Sequence, residues 1–226
     1  MSNPLSEPDP QALFAQAKAL GRRFDPEAPE GFDLPLTLPQ ALNRAVAKRQ
    51  AEFLAGRWCV GKLYASAGLS LPLPEYREHA APGWPPGWTG AITHCRNYAA
   101  AVIGPKSHVK ALGLDAEALM AEATAHKVRG SILHPDEAHL LDRRDWIDTL
   151  TLIFSFKESL YKALSPVLGR FIGFDEVAID KICPERLSFA PRGPLAQDFP
   201  VSAPRQGRWQ RRGVLILSAY EWESEQ

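Results

Sequence analysis

The sequence predicts an α+β fold with mostly antiparallel strands, and three observations predict it. Two long stretches, at about 39–68 and 145–164, carry apolar residues at helical spacing. Short apolar or alternating runs of strand length lie between and after them, broken by glycine and proline. Helices and strands do not follow the regular rhythm of βαβ units, which argues against a doubly wound parallel sheet. The chain of 226 residues is long enough for one large domain or two packed halves. At that length a core forms without help from disulfides or structural metal.

Residues 1–39 hold seven of the 20 prolines and are expected to be loosely organised, with a short amphipathic stretch at 11–20. The first long helix is expected to start at Pro39, with Thr37 as a candidate cap, and to stop near Gly68. Leu42, Val46, Phe53, Val60 and Tyr64 would form its apolar face. A proline-rich connector at 71–87 leads into two short runs, 91–95 and 99–104, that read as a hairpin turning at Arg96-Asn97-Tyr98. Beyond a polar loop at 105–110, Leu112, Leu114 and Ala116 alternate with Gly113, Asp115 and Glu117. That alternation predicts a strand with one apolar and one acidic face. The second helix, 145–164, sets Trp146, Leu150, Ile153, Phe154, Leu160 and Leu164 near one face, and Ser165-Pro166 should end it. Strands are expected at 174–179, 186–190 and 213–220.

Composition narrows the function classes. Lys and Arg total 26 against 26 Asp and Glu, so the basic surplus of a nucleic-acid binder is absent and no nucleic-acid partner is expected. The three cysteines, Cys59, Cys95 and Cys183, are far apart and form no CxxC pair, which reads as free thiols in a reducing compartment. The first ten residues lack a basic and an apolar region, so they do not read as a signal peptide. No apolar run approaches the roughly 20 residues of a membrane helix. A soluble cytoplasmic chain is expected. No Gly-rich phosphate loop of the Walker or dinucleotide kind is present.

Several side chains have the right type and spacing for chemistry. Asp115 and Glu117, two apart on a strand, point to one face about 7 Å apart, as a hard oxygen-seeking cation such as Mg²⁺ would require. A solvated strand edge is the plainer alternative. Glu158 and Lys162 are i,i+4 partners that by themselves merely steady a helix. His94 follows Thr93 at the end of a strand, where a core histidine is equally at home. Arg49 and Arg57 stand about 12 Å apart along one helix, placed to grip separate phosphates or to face water.

The order of these words is more specific than any one of them. Trp84-Pro-Pro-Gly-Trp-Thr-Gly-Ala-Ile-Thr-His94-Cys, then Gly113-Leu-Asp115-Ala-Glu117, then Phe154-Ser-Phe-Lys157-Glu158-Ser-Leu-Tyr-Lys162-Ala-Leu resemble the three motifs of phosphopantetheinyl transferases. The likeness is to the enterobactin-synthase and surfactin type. Lys48-Arg49-Gln-Ala-Glu52-Phe-Leu-Ala-Gly-Arg57 is similar to that group's upstream helix, and Leu133-His-Pro-Asp-Glu137 and Gly169-Arg-Phe-Ile-Gly173-Phe174 are similar to its connecting segments. The chain has Ala91 where the family often has Ser, and Phe154 where it often has Trp.

The resemblance implies transfer of 4′-phosphopantetheine from coenzyme A to a serine of an acyl, peptidyl or aryl carrier protein, with Mg²⁺, releasing 3′,5′-ADP. It implies a monomeric pseudodimer of two similar α+β halves, about 1–110 and 111–226, each a mostly antiparallel sheet on a long helix, with coenzyme A between them. Asp115, Glu117 and Glu158 would hold the metal. Glu158, or else Glu117, would take the serine proton, and Lys162 would stabilise the diphosphate. Lys157 would lie along the pantetheine or phosphate chain. Arg49, Arg57, Thr93 and His94 would hold the adenosine phosphates, His94 the 3′-phosphate, with Arg77 an addition from the connector. A metal-dependent phosphohydrolase and a non-catalytic carrier-binding module are the alternatives from other classes.

Overall fold

Small side chains make a strand that can be covered on both faces, and 98–105 is such a strand. In the computed structural model, which describes residues 7–78, 80–141 and 145–225, β1 (Lys18–Arg23), β2 (Trp88–Cys95) and β3 (Tyr98–Pro105) form an antiparallel sheet in the order β1-β3-β2. Ala99, Ala101 and Ile103 of β3 face Ala51, Ala55 and Cys59 of α1 (Ala47–Ser66). The alternate residues, Ala100 and Val102, face the other way onto Leu112 and Leu114.

Those two leucines belong to β4 (Val109–Ala118), the edge of a second antiparallel sheet. With β5 (Val177–Cys183), β6 (Arg186–Pro191), β7 (Gln206–Arg212) and β8 (Leu215–Glu223) it runs in the order β4-β8-β7-β6-β5. One face of this sheet meets the first sheet through Leu112, Leu114, Ala116, Leu215 and Leu217. The other is covered by α3 (Trp146–Leu168), whose Leu150, Ile153, Phe156, Leu160 and Leu164 pack on Ile179, Phe189, Ile216 and Tyr220. A shorter helix, α2 (Glu122–Ile132), packs beside α3, and α4 (Gly193–Asp198) links β6 to β7. Each sheet therefore carries one long helix, with three strands in the first and five in the second.

The α+β class with antiparallel sheets is as expected, and several boundaries are not. Pro39 caps only a single turn of 3-10 helix at Gln40–Leu42. The long helix begins at Ala47, with no contribution from Thr37, and Val46 is 73% exposed and off the buried face. Pro166 does not stop α3, which runs on to Leu168 and closes with the Gly169 N–H on Ser165 O. A proline so close to the end forfeits a single backbone bond. The strand expected at 174–179 starts at Val177 after a 3-10 turn, and β1, α2, α4 and β7 were not anticipated. The three cysteines are free, as expected, and among the described residues no helix is long and apolar enough to cross a membrane. The first six residues, read as no signal peptide, lie outside the described ones.

Candidate active site

The polar face of β4 does not meet water, because α3 lies across it. Gly113 makes that approach possible: a Cβ there would sit 1.9 Å from Ser159 O of α3. Two residues on, Asp115 is 3% exposed. Its Oδ1 accepts from Lys162 Nζ of α3 at 2.6 Å and from Thr93 Oγ1 of β2 at 3.1 Å, while Oδ2 is buried with no hydrogen-bond partner. The Thr93 hydroxyl also accepts from Ala116 N at 3.1 Å, so one threonine joins the two sheets at this point. Lys162 adds a contact to Leu114 O at 3.3 Å.

Glu117 and Glu158 flank Asp115, both half-buried. Burial, helped by the Asp115 and Glu158 carboxylates, pushes Glu117 up to about 8 against the pull of Lys162. Burial and Asp115 also raise Glu158, again opposed by Lys162. Among the described residues no group of three His, Cys, Asp or Glu side chains stands close enough to hold a metal ion unaided. The set still suits a hard divalent cation: Asp115 offers a buried carboxylate oxygen without a partner, and its charge acts on both Glu117 and Glu158.

Lys162 leads from this acidic corner into a cleft of about 820 Å³. Its walls are α1, β2, residues 76–78 and 80–84, and the last turns of α3, and they include Arg49, Arg57, Arg77, His94 and Lys162. Arg49 Nη1 lies 3.0 Å from His94 Nε2, and Glu52 Oε2 lies 3.6 Å from both Arg49 Nη1 and His94 Nδ1. Burial, with Arg49 and Lys162 nearby, holds His94 below the usual histidine range, although Glu52 and Asp115 work against this. Arg57 is 7% exposed, donates to Pro74 O at 3.2 Å and lies over the Phe53 ring at 4.5 Å. Burial and Arg49 bring it down to about 10, so it remains charged at neutral pH. Arg77 is more loosely held, by an exposed contact to Glu75 at 3.3 Å.

Lys157 is a correction. It points away from the cleft and is 2% exposed. Its three N–H donors go to Glu137 Oε2 at 2.7 Å, Ile132 O at 2.9 Å and Phe174 O at 2.9 Å, which leaves none for a pantetheine or phosphate chain. Glu137, itself fully buried, also accepts from His134 N and Ile179 N, both at 2.7 Å. The pair therefore ties α3 to β5 and to the end of α2. Sequence reasoning also passed over Glu52 and the cleft lysines Lys106 and Lys110; Glu52 shows only as a charge one helical turn from Arg49.

A model of the 4′-phosphopantetheinyl transferase N-terminal domain matches residues 38–104, and one of the 4′-phosphopantetheinyl transferase superfamily matches 111–207. The 4′-phosphopantetheinyl transferase Svp of Streptomyces mobaraensis is 32% identical over 189 residues, covering 78% of this chain and 73% of its own length. Enterobactin synthase component D of Salmonella typhi is 36% identical over 163 residues, covering 70% and 67%. A solved holo-ACP-synthase from Plasmodium yoelii covers 53% of this chain and 98% of its own, with a TM-score of 0.39 and 12% identity.

Proposed function

We infer the reaction from membership: the chain belongs to the 4′-phosphopantetheinyl transferase superfamily and is an enzyme of that kind. In the proposed reaction a carrier-protein serine Oγ attacks the β-phosphorus of coenzyme A. The bond from that phosphorus to the bridging oxygen breaks, 3′,5′-ADP leaves, and the serine proton passes to Glu158, with Glu117 as second choice. Burial and the neighbouring carboxyls raise both groups, which makes each, once ionised, a stronger base toward the serine proton.

The observation that carries this reading is the Lys162–Asp115 contact at 2.6 Å, which joins a cationic cleft to a carboxylate corner. A diphosphate at that junction meets cations on one side and metal-seeking oxygens on the other. Asp115, Glu117 and Glu158 would hold Mg²⁺, which supplies charge neutralisation on the diphosphate. Lys162 acts there as a point charge on the diphosphate and leaving group. Arg49, Arg57 and His94 hold the adenosine phosphates, and Arg77 closes the outer wall. Thr93, buried with its hydroxyl already between Asp115 and Ala116, positions Asp115 and does not hold phosphate.

The division of labour then follows the two sheets: residues 1–110 grip coenzyme A and 111–226 bring the carboxylates. A monomer is part of this reading. The proposed substrates are acyl, peptidyl or aryl carriers of siderophore, polyketide or nonribosomal peptide assembly in the cytoplasm; among the relatives, one is named as a component of enterobactin synthase. The test is intact mass of a panel of apo carriers incubated with coenzyme A, Mg²⁺ and this protein. A gain of one phosphopantetheine on a serine is expected. Free phosphopantetheine in solution with unmodified carriers would make the protein a phosphohydrolase instead.

A further inference from the structure

The Arg49–His94 contact at 3.0 Å needs a lone pair on His94 Nε2, because the guanidinium can only donate. The ring proton must then sit on Nδ1, the edge that faces Glu52 Oε2 at 3.6 Å. The same oxygen lies 3.6 Å from Arg49 Nη1, and the Glu52 side chain is only 13% exposed. One carboxylate thus lies within 3.6 Å of both groups, on the same side of the ring as the guanidinium and itself in the wall of the cleft. Arg49 and His94 would otherwise present two like-charged groups to each other, with Lys162 near the same ring.

We propose that Glu52 is the positioning residue of the phosphate grip, set between the Arg49 guanidinium and the Nδ1 edge of His94 so that both are aimed into the cleft with Nε2 facing the bound anion. The inference rests on the reading that this cleft takes the phosphates of coenzyme A. When a phosphate arrives, Arg49 exchanges its bond to Nε2 for one to the anion. Nε2 is left facing phosphate oxygens, and it can contribute only by taking up a proton from solvent and donating it. The resulting imidazolium lies beside the Glu52 carboxylate, whose charge offsets its own. Besides Glu52 and Arg49 from α1, the charged groups acting on this ring are Asp115 of β4 and Lys162 of α3, and neither is altered by changing Glu52.

The measurement is calorimetric titration of coenzyme A into the whole protein, in buffers of different ionisation enthalpy, with steady-state kinetics beside it. Wild type should take up protons on binding at neutral pH, and dephospho-coenzyme A, which lacks the 3′-phosphate, should cause much less uptake. Glu52→Gln keeps the volume and should weaken coenzyme A binding roughly tenfold, since a charge-assisted contact is lost. Its KM for coenzyme A should rise far more than its kcat falls. Because Glu52 favours the charged ring, the limb on which KM rises with pH should move to lower pH. Glu52→Asp, which keeps the charge, should recover part of the affinity and the proton uptake. Unchanged affinity and uptake in a Glu52→Gln protein that still binds coenzyme A would overturn this role and leave the transferase reading standing. Wild type that fails to bind coenzyme A would overturn both.

Discussion

Lys157 and Glu158 are sequence neighbours that lie about 100° apart around α3, and that rotation sends one into the core and the other toward Asp115. Glu158 has an opposite charge one turn away in Lys162, whereas Lys157 has none on its face of the helix; its partner is Glu137, twenty residues upstream, which local sequence does not reveal. Lys157→Met should therefore destabilise the protein by about 3–5 kcal/mol, because it leaves the Glu137 carboxylate buried without its cation. Denaturant unfolding checks this; a stable variant with a raised KM for coenzyme A would return Lys157 to the ligand. Glu117 makes a second residue-scale prediction. Unfolded, its carboxyl titrates near 4.5, and folded it is held up to about 8. Between those values the folded state keeps a proton that the unfolded state has released, so its contribution to stability falls as pH rises. Melting of metal-free protein should drop from about pH 5 to 8 for this reason, and Glu117→Gln should flatten the slope. Added Mg²⁺ should restore stability most at the upper end and release protons as it binds.

At the scale of elements, strongly periodic segments were the legible ones. The β2–β3 hairpin, the β4 alternation and the bodies of α1 and α3 follow from spacing alone. What escaped were elements whose pattern is diluted. β7, Gln206–Arg212, is mostly polar and gains its place from pairing with β6 and β8. β1 lies in a proline-rich stretch and is fixed by β3. For the acidic face of β4 spacing leaves a cation site and a solvated edge both open, and it does not show that Gly113 lets α3 cover that face. Gly113→Ala brings a Cβ into Ser159 O and must push β4 and α3 apart. The overpacking should cost about 1–3 kcal/mol, and activity should fall by more than the loss of folded protein explains, since Asp115 moves away from Lys162 and Glu158. A crystal structure or circular dichroism with matched activity would check it; full turnover in a folded Gly113→Ala protein would show that this spacing is not critical.

At the scale of the whole molecule, the site is divided between two sheets, and motif order showed which residues would meet while concealing how. Two chain ends hold that division together. The N–H groups of Ala15, Gln16 and Ala17 donate to the Glu221 carboxylate at 2.7–2.9 Å, across up to 206 residues. Gln210 Nε2 reaches Asp9 O, and Tyr98 OH reaches Pro8 O. Glu221→Ala strips three backbone donors of their acceptor at once, and a loss of about 2–4 kcal/mol is expected from hydrogen bonds to a charged group. Chemical denaturation would measure it, and a change within error would mean water replaces the carboxylate freely.

The position of β8 gives this arrangement a direction in time. Strand β8 lies between β4 and β7 and bears the carboxylate that accepts from Ala15, Gln16 and Ala17. A growing polypeptide can close the first sheet early, because β1, β2 and β3 are all complete by Pro105. It cannot seat β4 until β8, the latest in sequence of the five strands of that sheet, has emerged. Loop closure over so long a span is slow, so from the time β4 is made until β8 follows, Leu112, Leu114 and Ala116 have no strand beside them. Such an exposed edge invites aggregation. Yield in a cell should therefore depend on translation rate and chaperone supply more steeply than equilibrium stability alone would suggest.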